Sequence, residues 1–545
     1  MLGTCFSRPH SVYTIPMDKR KTRFFNTTGP CNPEDHYMLP PEERLVGTQL
    51  HRYIGDKLYW VLHAPRQTGK TTFLQSWMRE INAGDEAISC YVSVETCQGV
   101  PEAERAIPVI CDAVRRWSEQ YDLPVPAIED ETPQSRLNSI LANWAKLVAP
   151  KPLIVLFDEV DVLTGDALIS FLRQLRDGFA SRSVGKFPVS IALVGMRDLK
   201  DYITAAKGGI PVNPGSPFNI KADSGTIANF HKKDVERLFA QRTTETGQRI
   251  SPEALDYVYG QSHGQPWLVN SLFMRATMRI LDADSTETVT IDHVREAREQ
   301  MIQARETHLD SLGARLQDER VRWVIQAIIT GETDRLLGRT NPDVEFCMDM
   351  GLVEWNSGTG FTIANPVYEE ILTRYLNSAY HDSLPSPKTW CWQKSDGKLD
   401  MDALLREFQA FWQNNSEVWE RQADYMEAFP HLLLMAFLQR VTNGSGRIER
   451  EYAAGSGRMD LAVEYRGDWN IIEVKLLRQG RSFEAIMAEG IKQTLGYRDS
   501  FFPVHASREA QAPCYLLIFD RRPDKPAWQE RIKWIDAEGL TVLGC

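Results

Sequence analysis

Residues 61–73 read Val61-Leu62-His63-Ala64-Pro65-Arg66-Gln67-Thr68-Gly69-Lys70-Thr71-Thr72-Phe73. An apolar, partly β-branched run (Leu58 to Leu62) leads into a short loop. The pattern after the loop predicts a helix over Thr72 to Ile81. A strand that empties through a glycine turn into a helix N-terminus suits phosphate. Glycine lets backbone N–H groups point inward at phosphate oxygens, lysine reaches the β- and γ-phosphates, and the next hydroxyl binds Mg²⁺. The helix dipole adds its positive end. The spacing is that of G-x-x-x-x-G-K-[ST], with Ala64 where the first glycine usually stands. The candidate nucleotide-binding set is therefore Ala64, Arg66, Gln67, Thr68, Gly69, Lys70, Thr71 and Thr72, with Thr71 as a metal ligand.

A Gly-Lys-Thr triplet also occurs by chance on surface turns. A second segment argues against chance here: Pro152-Leu153-Ile154-Val155-Leu156-Phe157-Asp158-Glu159. It is a continuous apolar strand, as a parallel sheet requires, and it ends in two acids. Asp158 is the expected second Mg²⁺ ligand. Glu159 is the residue expected to polarise an attacking water.

The rest of residues 23–301 alternates in the same manner. A turn-rich yet aromatic segment (Arg23 to Pro40, with Phe24, Phe25 and Tyr37) is expected either to pack on the sheet and line a base pocket, or simply to pack at the N-terminus. A helix is predicted over 41–56, a strand over Ala87 to Val94, and helices over Pro101 to Gln120 and Ser135 to Val148. A helix over 166–180 carries Arg173 and Arg176, which could reach a neighbouring subunit's nucleotide or could be solvated helix charges. The strand Val189 to Gly195 ends at Met196-Arg197-Asp198, where Arg197 is a candidate contact to the γ-phosphate, with a structural salt bridge as the alternative. This alternation predicts a doubly wound α/β core. Helices are then predicted over Asp234 to Thr244, Ser251 to Ser262, Pro266 to Leu281 and Ile291 to Met301. Gly264 ends one and Pro266 starts the next.

Residues 318–376 read as a small winged helix: helices over Val321 to Ile329 and Val344 to Met350, then a hairpin of Leu352 to Trp355 with Phe361 to Ala364. Such a module can bind DNA. Its second helix is acidic (Asp343, Glu345, Asp349), which favours a packing role. Residues 379–400 are polar with Pro385, Pro387 and Gly397, and read as a linker.

The C-terminal part holds a second constellation. An apolar helix is predicted over Tyr425 to Val441, then strands over Ile448 to Tyr452, Arg458 to Tyr465 and Trp469 to Leu476. Glu473 and Lys475 are two apart and share one face of a strand. Asp460, on the paired strand, can reach the same face. Two carboxylates offer hard oxygen ligands for Mg²⁺, which activates water for phosphodiester hydrolysis, while Lys475 neutralises developing charge. The alternative is an exposed hairpin of alternating charges. The apolar run Ile471-Ile472-x-Val474-x-Leu476 speaks against it, because charges on a buried strand need partners.

With 545 residues, two to four domains are expected. Apolar content of 43% and charged content of 25% are ordinary for a globular protein. The net charge of −11 argues against a general nucleic-acid coat but leaves room for a local basic groove. Nine cysteines without a C-x₂-C pair argue against zinc or a disulfide framework and fit a reducing, cytoplasmic setting. No apolar run approaches membrane-spanning length, so no membrane partner is expected.

The C-terminal order of helix, strand, strand with Asp460, strand with Glu473-x-Lys475, helix, strand resembles the PD-(D/E)XK nuclease superfamily. Met459 stands where the eponymous proline often sits. The resemblance implies that Asp460 and Glu473 bind metal, that Lys475 is catalytic, and that Gln493 and Tyr497 lie one turn apart on the following helix, before a strand over Tyr515 to Phe519. Glu427 is the candidate for an extra metal-binding acid, with Glu449 and Glu451 as competitors. Residues 23–376 resemble prokaryotic AAA-like ATPases of the P-loop AAA+/STAND type. The motifs that carry this are FNTTGPCNPEDHYMLP, APRQTGKTT, GMRDLKDY and HGQPWLVN, the last in a lid whose turn faces the nucleotide. Together the resemblances imply an α/β protein: an N-terminal arm (1–45), a P-loop NTPase core (46–226), a helical lid (227–310), a winged helix (311–378), the linker (379–400) and a restriction-endonuclease-like domain (401–545). They imply ATP and Mg²⁺ as cofactors, nucleic acid (in the first place DNA) as partner, and a homo-oligomer, and they associate the chain with mobile-element or anti-phage defence. The alternative is a signalling or scaffold ATPase whose C-terminal domain binds nucleic acid without cutting it.

Overall fold

The computed structural model describes residues 22–128, 132–182, 186–196, 221–304, 307–329, 336, 341–357, 360–381, 392–422, 433–435, 437–438, 446–454, 457–505, 512–520, 522 and 524–545. The chain divides into two compact units. One takes the residues up to Thr307 with Val344–Asn356 and Ala364–Val367; the other takes His308–Asp343, Ser357–Ile363 and Tyr368–Cys545. The segments expected to form a winged helix are thus shared between the two units.

The first unit is built on strands β1 (Leu45–Val46), β2 (Tyr59–His63), β3 (Ile88–Ser93), β4 (Leu153–Asp158), β5 (Ser190–Gly195) and β6 (Lys221–Ile227), in the spatial order β1-β6-β2-β5-β4-β3. All pair in parallel except β1, which runs antiparallel to β6. Alternate side chains serve opposite faces. Tyr59 and Val61 join a core formed with the helices Ala103–Gln120, Pro133–Val148 and Gly165–Phe179. Trp60 and Leu62 join another with the helix Lys70–Ala83 through Phe73, Leu74, Trp77 and Met78. Being covered on both sides, β4 and β5 are buried throughout, which is why they read as unbroken apolar runs. In Ala103–Gln120 the buried residues Ala106, Ile107, Ile110, Cys111, Ala113 and Val114 recur every three or four positions. Each fully buried Leu, Ile or Phe contributes roughly 1.5–3 kcal/mol over its exposed state. The expected doubly wound core is present. The chain starts the parallel set at β2 and then jumps to β3 at the far edge, so the strand order reverses beside β2. Ligands bind at such a switch point, outside the carboxyl ends of the strands.

Helices Lys232–Thr246, Pro252–Ser262, Pro266–Met274 and Ile291–Gln303 follow, with a π-helical turn (Arg275–Ile280) continuing the third. The aromatic N-terminal segment packs on this helical set. Phe25 sits 4.9 Å from Tyr37, 5.8 Å from Phe239 and 5.0 Å from Phe273, centroid to centroid. Strand β7 (Val353–Asn356) also belongs to this unit.

In the second unit, after the short strand β8 (Gly360–Ile363), come β9 (Gly446–Ala454), β10 (Gly457–Tyr465), β11 (Asp468–Leu477), β12 (Cys514–Asp520), β13 (Lys533–Ala537) and β14 (Leu540–Gly544). The last six form one sheet in the order β13-β14-β12-β11-β10-β9. Strands β9, β10 and β11 form an antiparallel meander, and β12 runs parallel to β11 and to β14. The helix Phe483–His505 links β11 to β12 and packs closely on them. A Cβ at Gly490 would stand 2.7 Å from Leu516 Cδ1, so the glycine permits this approach. The opposite face is covered by the helix Met401–Gln422 and by Leu433, Leu434, Phe437 and Leu438.

One expectation is corrected here. The last part of the 379–400 linker is built into the second unit, where Trp392 and Leu399 are buried in the core. Its glycine and polar residues form a turn, closed by a bridge of Gln393 to Leu399, instead of a free spacer. Of the helix expected over 425–441, residues 433–435 and 437–438 are helical. The remainder, Glu427 included, lies outside the described residues. Among the described residues, no helix is long and apolar enough to cross a membrane.

Candidate functional site

The chain leaves β2 through Ala64, whose N–H donates to the Gly195 carbonyl at 3.2 Å, tying the loop to the end of β5. Gln67 (φ 59°) and Gly69 (φ 98°) both take left-handed backbone. Gly69 then caps the helix that begins at Lys70. Glycine is favoured there because other residues reach such φ values only at a cost. Thr68 Oγ1 donates to the Pro65 carbonyl at 2.9 Å. Lys70 is buried, and its Nζ donates to the carbonyls of Ala64 (2.7 Å) and Pro65 (2.9 Å). Arg66 and Gln67 are exposed, while Thr72 Oγ1 accepts the N–H of Cys31 at 3.1 Å.

The acids at the end of β4 meet this loop. Thr71 Oγ1 donates to Asp158 Oδ2 at 2.7 Å, and the Tyr91 hydroxyl donates to the same oxygen at 3.2 Å. Asp158 Oδ1 accepts the N–H of Glu159 at 2.9 Å. Burial pushes the Asp158 carboxyl up and the Lys70 ammonium down, and each is opposed by the charge of the other. Glu159 sits in left-handed backbone (φ 59°) at the strand end, which turns it out of the strand's alternation. Burial first, then the charges of Asp158 and Asp161, push its carboxyl up to about 7. A carboxyl near neutrality is suited to general base work. Thr71 and Asp158 offer the hard oxygens that Mg²⁺ takes. Asp161 adds a buried Oδ1 with no hydrogen-bond partner among the described residues. These donors fit a magnesium ion beside phosphates. Arg197 lies outside the described residues. Arg173 and Arg176 are both exposed on the helix Gly165–Phe179.

A cavity of about 120 Å³ lies on the flank of the loop. It is bordered by Gln67, Gly69 and Thr72, by the N-terminal segment (Asn26 to Arg44), and by Phe230, Leu238, Pro266, Trp267 and Asn270. Trp267 Nε1 donates to the Thr27 carbonyl at 2.9 Å, which joins the helical set to the N-terminal segment. The turn His263-Gly264 directs the helix Pro266–Met274 at this cavity. The Gln265 side chain caps that helix by accepting the N–H of Leu268 at 2.7 Å. His263 Nδ1 lies 3.1 Å from Glu354 Oε1 on β7, and a Cβ at Gly351 would collide with Pro65. Three residues of this site escape a motif reading: Tyr91, Asp161 and Arg44; Asn270 closes the HGQPWLVN turn. Tyr91 is legible only as strand apolarity. Asp161 had a weak signal, a third acid two residues past Glu159.

In the second unit, Glu473 is fully buried on β11, and Lys475 Nζ donates to its Oε1 at 2.7 Å. The pair is an ion pair inside the sheet, not an exposed charge alternation. Strand β10 pairs Leu461 with Ile472 and Ala462 with Ile471. Asp460 stands on β10 next to Leu461, beyond the last of these pairs. The side chain of Asp460 lies outside the described residues, as do those of Glu449, Glu451 and Tyr497. Gln493 lies on the helix Phe483–His505. Among the described residues, no cluster of three or more His, Cys, Asp or Glu side chains is arranged to hold a metal.

The first unit is thus an α/β core whose phosphate-type loop and paired acids meet at the switch point of a mixed sheet. Among solved structures, the chain is similar to a Walker-type ATPase of Pyrococcus abyssi, with 15% identity and a TM-score of 0.46 over 64% of this chain and 99% of that one. It is also similar to Cdc6p of Pyrobaculum aerophilum, with 13% identity and a TM-score of 0.33 over 61% and 92% of the two chains. A third is the RuvB Holliday junction branch migration motor of Thermotoga maritima, with 13% identity and a TM-score of 0.31 over 58% and 86%. No protein-family model and no curated protein matches the chain.

Proposed function

We propose that this chain is a P-loop ATPase that binds and hydrolyses ATP and couples it to Mg²⁺-dependent phosphodiester cleavage of nucleic acid, DNA in the first place. The observation that carries the ATPase reading is the meeting of Lys70 and Thr71 with Asp158 and Glu159. Lys70 supplies a preorganised cation at the loop. Thr71 and Asp158 would hold Mg²⁺, which when bound neutralises phosphate charge. Glu159 accepts the proton of the attacking water, helped by its carboxyl lying near neutrality.

The nuclease reading is supported by the buried Glu473–Lys475 pair and by the antiparallel pairing of β11 with β10, the strand that carries Asp460. Burying such a pair costs desolvation that apolar residues of similar size would not incur, so a role in chemistry accounts for it better than stability does. Asp460 and Glu473 would hold Mg²⁺, which when bound activates water and stabilises phosphodiester charge. Lys475 positions that water or neutralises the transition state. The remaining parts of the proposal are a homo-oligomer, with Arg173 or Arg176 reaching a neighbour's nucleotide, a cytoplasmic setting, and a role in mobile-element or anti-phage defence.

The test is cleavage of plasmid DNA, single-stranded DNA and RNA in Mg²⁺, with and without ATP, for wild type, Glu473→Ala and Lys70→Ala. Cleavage lost in Glu473→Ala, and responsive to ATP only with Lys70 present, is the expected result. ATP turnover without cleavage of any substrate would overturn the nuclease and leave a scaffold ATPase.

A further inference from the structure

Arg44 ends the 3₁₀ turn Pro41–Arg44. Its Nη1 donates to the Ala228 carbonyl at 3.0 Å, and its guanidinium lies 4.8 Å from the centre of the Phe230 ring. These contacts fix the guanidinium and leave Nη2 against the phosphate loop, where a Cβ on Gly69 would stand only 2.8 Å from it. Among the described residues, its Nε is buried without a hydrogen-bond partner. Among the described residues, the carboxylate that acts on its charge is Asp234, with the Cys31 thiol as a second acidic group, and that carboxylate is already engaged by Arg237 Nη1 at 3.2 Å and by the N–H of His231 at 3.0 Å. Burial lowers the Arg44 pKa to about 10, so it stays charged at neutral pH. A cation withdrawn from water with no anion of its own among the described residues, beyond the shared Asp234, is costly. Asn270 lines the same cavity, and its Oδ1 is likewise buried without a partner among the described residues. The cavity is bordered by Gln67, Gly69 and Thr72, and its lining does not include Thr71, Asp158 or Glu159. Arg44 therefore stands on the flank of the loop that Gly69 and Thr72 present to this cavity.

We infer that Arg44 binds the phosphates that do not react, the diphosphate common to ATP and ADP, as a cation supplied in cis by the N-terminal segment. This rests on the nucleotide reading proposed above. Nucleotide binding then supplies the anion that Arg44 lacks and ties the N-terminal segment to the loop. Lysine cannot replace it fully: one ammonium cannot hold the Ala228 carbonyl and face the loop with the geometry of a guanidinium fork.

The test uses the full chain as wild type, Arg44→Met, Arg44→Lys and Lys70→Ala. Binding of ATP and of ADP is measured at equilibrium, with inorganic pyrophosphate as competitor, and thermal unfolding is recorded without ligand. Arg44→Met is expected to weaken ATP, ADP and pyrophosphate alike, by about 10- to 100-fold. Arg44→Lys should recover part of that loss, and the unliganded melting temperature should not fall in either variant. Arg44→Met binding like wild type, while Lys70→Ala loses binding, would overturn the role of Arg44 and leave the nucleotide site standing. A loss in Arg44→Met with a lowered unliganded melting temperature would make Arg44 structural and overturn the inference. A wild type that binds no nucleotide would overturn the site and Arg44 with it.

Discussion

Lys70 and Glu159 share one site but are buried to opposite effect. Lys70 keeps its hydrogen bonds by folding back on the Ala64 and Pro65 carbonyls. Glu159 is placed among acids that make its charge expensive. Their removal should therefore separate binding from chemistry. Lys70→Ala is expected to abolish measurable ATP binding. Glu159→Gln should keep ATP binding while lowering turnover by about 10²- to 10⁴-fold, read as phosphate release at saturating ATP. Equal turnover in Glu159→Gln would remove Glu159 from the reaction. These two residues were legible in sequence because the motif packs their chemistry into adjacent positions. Arg44 was not, since nothing around a lone arginine announces which loop it will face.

At the scale of elements, Gly264 shows how a turn sets a helix. It holds φ 73°, and a Cβ there would lie 1.8 Å from the Phe230 carbonyl oxygen. Gly264→Ala should destabilise the first unit by more than about 1 kcal/mol, seen as a lower melting temperature. Strand β12 offers a pH-dependent case. Burial pushes the Asp520 carboxyl up, but hydrogen bonds from Arg522 outweigh it and hold the carboxyl below its ordinary value. A depressed carboxyl contributes stability above its unfolded pKa of about 3.9 and loses it as pH falls through the lower folded value. Arg522→Ala should cost about 1–2 kcal/mol at neutral pH. The gap to wild type in denaturant unfolding should close below about pH 4. A gap that persists in acid would mean that packing, not charge, is lost. Strands β4, β5 and β11 were legible because burial on both faces writes itself as an apolar run. The turn-rich segment at 392–400 was misread because its composition matches a linker, while Trp392 and Leu399 carry the packing.

For the whole molecule, division into two compact units makes a single unfolding transition an unsafe assumption. Ligand linkage can tell them apart. ATP at 100 times its dissociation constant should stabilise the unit that carries the phosphate loop by about 2.7 kcal/mol. Calorimetry should show that unit's transition rising in wild type and not in Lys70→Ala. A shift that survives Lys70→Ala would place the ATP site elsewhere. His263 beside Glu354, and Gly351 against Pro65, also bring the segment that leads into β7 and β7 itself to the loop and the helical turn within the first unit.

Sequence by itself determined the strand, loop and helix of residues 59–83, the acid pair at the end of β4, the parallel core and the Glu473-x-Lys475 strand. Each is local: periodicity, glycine position and spacing lie within a few residues. Tertiary structure alone decided that Phe25 packs on Phe239 and Phe273, that Thr27 meets Trp267, and that Arg44 stands against Gly69. Those partners lie far apart along the chain, and no local pattern records which distant side chain a buried aromatic or cation will meet. The physical reason is that backbone chemistry is short-ranged along the sequence, whereas burial and charge act through space.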